Sequence, residues 1–149
     1  MSKLDFKIKD FNQLSTQEIY SILQLRSEVF VVEQNCVYQD IDKKDEKAIH
    51  IFGVSKNIII AYTRCFQPGA YFKEASIGRV VVKKNQRKLK RGNQIMLDSI
   101  KAIETLYHTK LIRISAQCYL KKFYNNLDLY SVGDEYLEDG IPHINMIRK

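Results

Sequence analysis

Between Ala75 and Leu97 the chain carries no acidic residue and seven basic ones: Arg79, Lys83, Lys84, Arg87, Lys88, Lys90 and Arg91. Six of these fall between Lys83 and Arg91. They occupy the connection from an apolar run, Val80-Val81-Val82, to a stretch with helical periodicity at Met96, Ile100, Ile103 and Tyr107. A helix N-terminus carries partial positive charge and unpaired N–H groups, and Gly92 lets backbone come close to a ligand. Strand, basic loop and helix in that order therefore suit a phosphate group, although a solvated basic loop has the same composition. A Walker-type loop is excluded, since Gly-x-x-x-x-Gly-Lys-Ser/Thr does not occur.

Other side chains with reactive chemistry are scattered. His50 and His143 titrate near neutrality and suit a base, or equally a core or edge position. Glu33 follows Phe30-Val31-Val32 at a helix end, where its charge opposes the helix dipole. Tyr124 shares an apolar face with Leu120, Phe123 and Leu127, as a core tyrosine would. Cys118 has no histidine near it in sequence, which argues against a thiol nucleophile. Asp40, Asp42, Asp45 and Glu46 read as a solvated acidic loop that attracts cations. No metal is expected: His-x-x-x-His and Cys-x-x-Cys spacings are absent, and the three histidines lie far apart.

The elements that must position these residues form one 149-residue unit, expected to be a single domain over 1–149. Alternation at Leu4, Phe6 and Ile8 predicts a strand. Ser15-Thr16-Gln17-Glu18 is a capping box, and Ile22, Leu25, Val29 and Val32 mark a helix ending near 34–35. Strands follow at 49–54, 58–66 and 77–82, the last apolar on both faces and so central. After the basic loop come a helix, a strand at 111–116, a short helix around 120–127, and strands at 130–132 and 141–147. The order β-α-β-β-β-α-β-α-β-β predicts an α/β (α+β) fold, one mixed sheet with helices on its faces.

Apolar residues make up 45% of the chain, which excludes disorder, and no apolar run is long enough to cross a membrane. The first residues lack the apolar block of a signal peptide. The odd, dispersed cysteines Cys36, Cys65 and Cys118 fit reduced thiols, hence a cytoplasmic protein. The net charge of +7 equals the seven charges of the basic segment, so the rest of the chain sums to zero. So local a surplus, without interleaved aromatics or a recognition helix, argues against nucleic acid and for a small phosphorylated partner.

In the slot between central strand and helix, Arg87-Lys88-Leu89-Lys90-Arg91-Gly92 resembles the Gln/Arg-x-x-Gly-x-Gly/Ala signature of the GNAT family of acetyl-CoA-dependent N-acetyltransferases. The element order matches over nearly the whole chain. The chain is similar in particular to the ElaA subfamily, through Val29-Phe30-Val31-Val32-Glu33-Gln34-Asn35-Cys36, Tyr38-Gln39-Asp40-Ile41-Asp42, Ile77-Gly78-Arg79-Val80-Val81-Val82, Ser115-Ala116-Gln117, Phe123-Tyr124 and Glu138-Asp139-Gly140-Ile141-Pro142-His143-Ile144.

The resemblance implies a GNAT-like acyl-CoA N-acyltransferase fold, acetyl-CoA as donor and a primary amine as acceptor, joined by direct attack in a ternary complex. It implies that the backbone of Val80, Val81 and Val82 holds the pantetheine arm. Arg87, Lys88, Lys90, Arg91, Gly92 and Asn93 would take the pyrophosphate, with Gln117 also on the cofactor side. Tyr124 matches the residue that protonates the departing thiolate. Glu33 and His143 are the candidates for base or amine anchor. Two positions depart from the pattern. Lys90 stands at the first motif glycine, a cost of roughly 1–2 kcal/mol if that position needs φ > 0. Asp128-Leu129 replaces a glycine-aromatic pair, and Asp tolerates a left-handed helix C-cap. The alternative on the same fold is a catalytically silent CoA-binding or regulatory module. The acceptor and the oligomeric state, monomer or homodimer, stay open.

Overall fold

The computed structural model describes residues 3–149. Seven strands form one sheet in the order β1-β2-β3-β4-β5-β7-β6. They are β1 (Asp5–Asp10), β2 (Ile49–Ser55), β3 (Ile58–Phe66), β4 (Ala75–Val82), β5 (Ile112–Gln117), β6 (Tyr130–Glu138) and β7 (Ile141–Arg148). All neighbours pair antiparallel except β4 and β5. A parallel pair needs a long crossover, and α2 (Arg91–Tyr107) supplies it. The elements follow the order expected from the sequence, and the mixed α/β sheet with it.

Alternate residues along each strand divide the core in two. Ile51 and Ala61 face the cluster built on Ile95, Met96, Ile100 and Ile103 of α2. Their neighbours Phe52 and Tyr62 face Ile22 and Leu25 of α1 (Thr16–Arg26), together with Val29. The period-2 alternation thus puts α1 and α2 on opposite faces. Helix α1 is shorter than its apolar stripe predicts. Residues Ser27–Glu33 are π-helical, with Gln34 N–H donating to Val29 O at 3.1 Å. Such wide turns concentrate at functional sites. Near the other end of the chain, β6 runs beyond the expected 130–132. Gly133, at φ +73°, sits in a register shift between Val132 and Tyr136, and the strand resumes to Glu138.

Of the acidic loop only Glu46 is exposed as expected, and the three aspartates are drawn into ion pairs. Asp40 and Asp45 are 7% and 6% exposed. Three arginines from three elements converge on the loop. Arg26 Nε donates to Asp40 at 2.8 Å and its Nη1 to Asp45 at 2.7 Å. Arg64 pairs with Asp42 at 2.8 and 2.9 Å and with Asp45 at 3.1 Å. Arg79 Nε lies 2.7 Å from Asp40. Charges taken from water must be balanced, and three arginines against three aspartates balance. The solvated reading failed because the partners are remote in sequence, in α1, β3 and β4. His50 braces the same loop: its Nε2 donates to Asp45 O at 2.8 Å and its Nδ1 accepts from Tyr62 OH at 2.6 Å. It is fully buried and structural, not a base.

This network fixes the acid response. Burial pushes the Asp42 carboxyl up, but Arg64 outweighs it and holds the group at about 2, against an ordinary 3.8. Burial pushes the His50 imidazole below its ordinary 6.5. Both groups have folded values below their unfolded ones, so each contributes stability at high pH that is lost on acidification. Thermal melts should decline gently as pH falls below 6.5, where an unfolded His50 takes up a proton. They should fall steeply between pH 3.8 and about 2, as Asp42 does the same. A melting temperature that holds or rises through the acidic window would contradict the network's role.

Candidate active site

The parallel pair β4–β5 is joined only at Ala75–Ile112 and Ser76–Arg113. Beyond that the strands diverge, so the β5-facing edge of β4 from Ile77 to Val82 has no strand partner. The divergence has a local cause. Arg79 is left-handed, at φ 48°, in the middle of β4, and the register to β3 shifts opposite it, between Tyr62 and Arg64. A bulge re-aims a strand in this way. The Arg79–Asp40 contact and the packing of the Arg79 guanidinium on the Tyr38 ring, 5.8 Å away, hold the strained residue in place.

The gap opens into a cavity of about 650 Å³. Its walls bring together most of the residues singled out in the sequence: Val80, Val81, Val82, Arg87, Lys90, Gly92, Asn93, Gln117, Tyr124, Glu33 and His143. Lys88 and Arg91 do not line it. Lys88 is exposed on the outer side of the short 3-10 turn Lys84–Leu89. Arg91 opens α2 with its side chain 2% exposed and Nη1 donating to Gln94 at 3.1 Å, so its guanidinium serves the interior.

Lys90, the N-cap residue just before α2, is left-handed, at φ 58° and ψ 29°. The motif position therefore needs positive φ, and lysine adopts it against a steric cost. Lys90→Gly should raise stability by about 1 kcal/mol, roughly 2–4 °C in Tm, while removing an ammonium from the cavity wall. A thermal melt checks this, and an unchanged or lower Tm would show that the lysine is unstrained.

The basic segment is not one free cluster. Arg79 is bound in the aspartate network. Lys83 lies 3.4 Å from Glu28. Arg87 is held on both sides: its Nε donates to Val82 O at 3.1 Å and its terminal nitrogens to Glu33 at 2.5 and 2.8 Å. That hydrogen bond holds the Glu33 carboxyl below the ordinary carboxylate range, against a smaller upward push from burial. Glu33 thus braces the basic loop from the π-helical segment.

On the other wall, Gln34 and Gln117 exchange amide hydrogen bonds at 3.2 and 3.4 Å across the gap. Tyr124 lies in α3 (Lys121–Asn125), whose end is closed by Leu129 N–H donating to Tyr124 O at 3.1 Å, with Asp128 left-handed at φ 64°. Asp128 thus makes the C-cap that glycine makes elsewhere. Tyr124 is 5% exposed, and burial pushes its phenol well up, so the hydroxyl keeps its hydrogen at neutral pH. No described residue hydrogen-bonds that hydroxyl, and the residue lines the cavity. Cys118 does not line it.

At the far end the structure joins Gln117 and His143, both named from the sequence, to Ser115, Tyr136, Glu138 and Asn145, which sequence reading gave no role. Ser115 and Gln117 of β5, His143 and Asn145 of β7, and Tyr136 and Glu138 of β6 share the face opposite Ile114, Ala116, Ile144 and Met146, which pack in the core with α2. Ser115 Oγ donates to Glu138 at 3.1 Å and contacts Tyr136 OH. The available signal was the polar alternation of β6 beyond Gly133, which the bulge interrupts. Among the described residues, no group of three or more His, Cys, Asp or Glu is placed to hold a metal, and no helix is long and apolar enough to cross a membrane.

Comparison with known proteins matches residues 11–149 to the family model of the acetyltransferase (GNAT) domain. The chain is 39% identical to protein ElaA of Escherichia coli over 140 residues, covering 93% of this chain and 92% of that protein. Its structure is similar to a crystal structure of an acyl-CoA N-acyltransferase from Pseudomonas aeruginosa, with TM-score 0.94 and 37% identity over 99% of this chain and 100% of that one. It is also similar to the crystal structure of Escherichia coli ElaA, with TM-score 0.92 and 36% identity over 99% and 100% of the two chains.

Proposed function

The chain belongs to the GNAT acetyltransferase family, and on that premise we propose that it moves the acetyl group of acetyl-CoA to a primary amine by direct attack in a ternary complex. The unpaired edge of β4 beside the divergent β5, with the basic loop at one end and a carboxylate-histidine cluster at the other, carries this reading. Acetyl-CoA supplies an activated thioester. Its fit rests on features of this chain: the free backbone edge of Val80–Val82, the left-handed turn at Lys90, and Gly92 and Asn93 on the cavity wall at the start of α2. Arg87, Lys90 and the first amides of α2 face the phosphates, and N–H groups of the β4 edge face the developing oxyanion.

The acceptor arrives as an ammonium and must lose a proton before it attacks. His143 takes that proton on Nε2. The amine nitrogen then bonds to the acetyl carbon as the carbon–sulfur bond breaks. The nitrogen's second hydrogen ends on the thiolate, and the proton on His143 passes to solvent. Tyr124 donates its hydroxyl hydrogen bond to the leaving sulfur. We place the enzyme in the cytoplasm, acting as a single domain over residues 1–149.

Acetyl-CoA and CoA should each raise the melting temperature, and thiol should appear only when an amine is added. Absence of stabilisation by either at millimolar concentration overturns the reading. Stabilisation without turnover on any amine would support the silent CoA-binding module instead.

Glu33 has a separate test. If it braces Arg87 and does not act as base, Glu33→Gln keeps kcat. It shifts the acetyl-CoA KM by up to roughly fivefold, the range of a partly exposed ion pair. A collapse of kcat with the acetyl-CoA KM unchanged would return Glu33 to the catalytic role.

A further inference from the structure

The wall of the cavity away from the basic loop lacks a donor where two acceptors meet. His143 is 6% exposed, and its Nδ1 lies 2.7 Å from Ile141 O. A carbonyl only accepts, so Nδ1 carries the hydrogen and the neutral ring presents the Nε2 lone pair. That nitrogen faces Glu138 Oε2 at 3.4 Å. Lone pair against carboxylate is a juxtaposition that a group with several N–H donors completes, and an ammonium has three.

The charges at this end point the same way. The cations on the wall here, Arg64 and Arg79, are neutralised by Asp40, Asp42 and Asp45. Glu138 and Asp139 also line the cavity, and among the described residues neither has a lysine or arginine partner. The site therefore holds two carboxylates without a lysine or arginine partner, and these repel an acceptor's own carboxylate. Aromatic rings line the same cavity. Phe66 stacks on Tyr71 at 5.1 Å, and Tyr71 meets Phe72 edge-on at 4.8 Å. Cations of this chain already lie over these rings, Arg64 over Phe66 at 5.2 Å, Lys44 over Tyr71 at 4.9 Å and Arg113 over Phe72 at 6.0 Å, and the ring surface that remains suits methylene chains. Asp139 is tied in place through its carbonyl, which accepts from Cys36 Sγ at 3.3 Å.

We propose that the acceptor is an aliphatic diamine or polyamine: Glu138 and His143 Nε2 receive the ammonium that is acetylated, and Asp139 holds a second ammonium further along the chain. The proposal rests on the transferase reading above and narrows its acceptor. The proton balance is the one already given, with Glu138 holding the ammonium before, and the imidazolium after, the proton moves.

The experiment measures kcat/KM by thiol release from acetyl-CoA with 1,4-diaminobutane, spermidine, butylamine, ornithine and a lysine-containing peptide. The two polyamines should exceed butylamine and ornithine by about tenfold or more, the value of one further ion pair near 1.4 kcal/mol. Glu138→Gln should cut kcat/KM for 1,4-diaminobutane by about 10–100-fold, the cost of losing a hydrogen bond to a charged group, with the acetyl-CoA KM unchanged. Asp139→Asn, which tolerates the left-handed turn at φ 52°, should cut kcat/KM for 1,4-diaminobutane about tenfold and erase the preference for diamine over butylamine. Equal or better turnover of butylamine, ornithine or peptide overturns the proposal and leaves the transferase intact, as does an unaffected Glu138→Gln. Bound acetyl-CoA with no thiol release from any of the five amines overturns both.

Discussion

Asp45→Ala should destabilise the protein by about 3–5 kcal/mol, enough to lower its melting temperature by roughly 6–20 °C. Asp45 accepts from Arg26 at 2.7 Å and Arg64 at 3.1 Å, and these guanidiniums are 0% and 2% exposed. Removing the carboxylate leaves two buried cations with too few partners, and this outweighs whatever the bridge itself contributes. Burial alone would push the Asp45 carboxyl up, yet Arg26 and Arg64 hold it below its ordinary value, which marks the pairing as the stronger influence. The loss should extend to function, because the same network seats the loop that holds Arg79 and hence the bulge that parts β4 from β5. A thermal melt of the purified variant measures it. A shift within about 0.5 kcal/mol, as for a surface substitution, would show that the network is solvated after all.

Tyr124→Phe should lower kcat by about 10–100-fold and leave the affinity for acetyl-CoA unchanged. The phenol stands above its ordinary 10.0, raised mainly by burial. A thiol titrates near about 8.5, so complete proton transfer from this tyrosine to the leaving sulfur runs uphill. What the hydroxyl offers is a hydrogen bond to a developing charge, about 1.5–3 kcal/mol in the transition state. Phenylalanine preserves the ring contact with Phe123, whose centroid lies 5.1 Å away, and so preserves the wall. Steady-state kinetics with a saturating amine separates the two parameters. An unchanged kcat removes Tyr124 from the reaction, and an equal rise in the acetyl-CoA dissociation constant makes it a binding residue.

Local signals were the legible ones. The capping box at Ser15 and the apolar run at Val80–Val82 each declare their element within a few residues, and they fall in the observed order. The basic loop before α2 was visible for the same reason. What stayed hidden depends on partners far apart in the chain. Nothing near Asp40 announces that Arg26 and Arg79 will bury it. Nothing near Lys90 settles that its φ is 58°, although the glycine expected there was the clue. Glu138 fell outside the strand read at 130–132 because the bulge at Gly133 broke the strand pattern before it. Arg91 counted as a phosphate ligand by position alone, and only its packing shows that it points inward.

Initial-velocity kinetics with acetyl-CoA and an amine both varied tests the central claim most directly. Transfer within one complex in the β4–β5 opening gives amine-dependent thiol release and intersecting double-reciprocal lines. Parallel lines with acetyl trapped on Cys118, or no amine-dependent release from protein that acetyl-CoA stabilises, would contradict it.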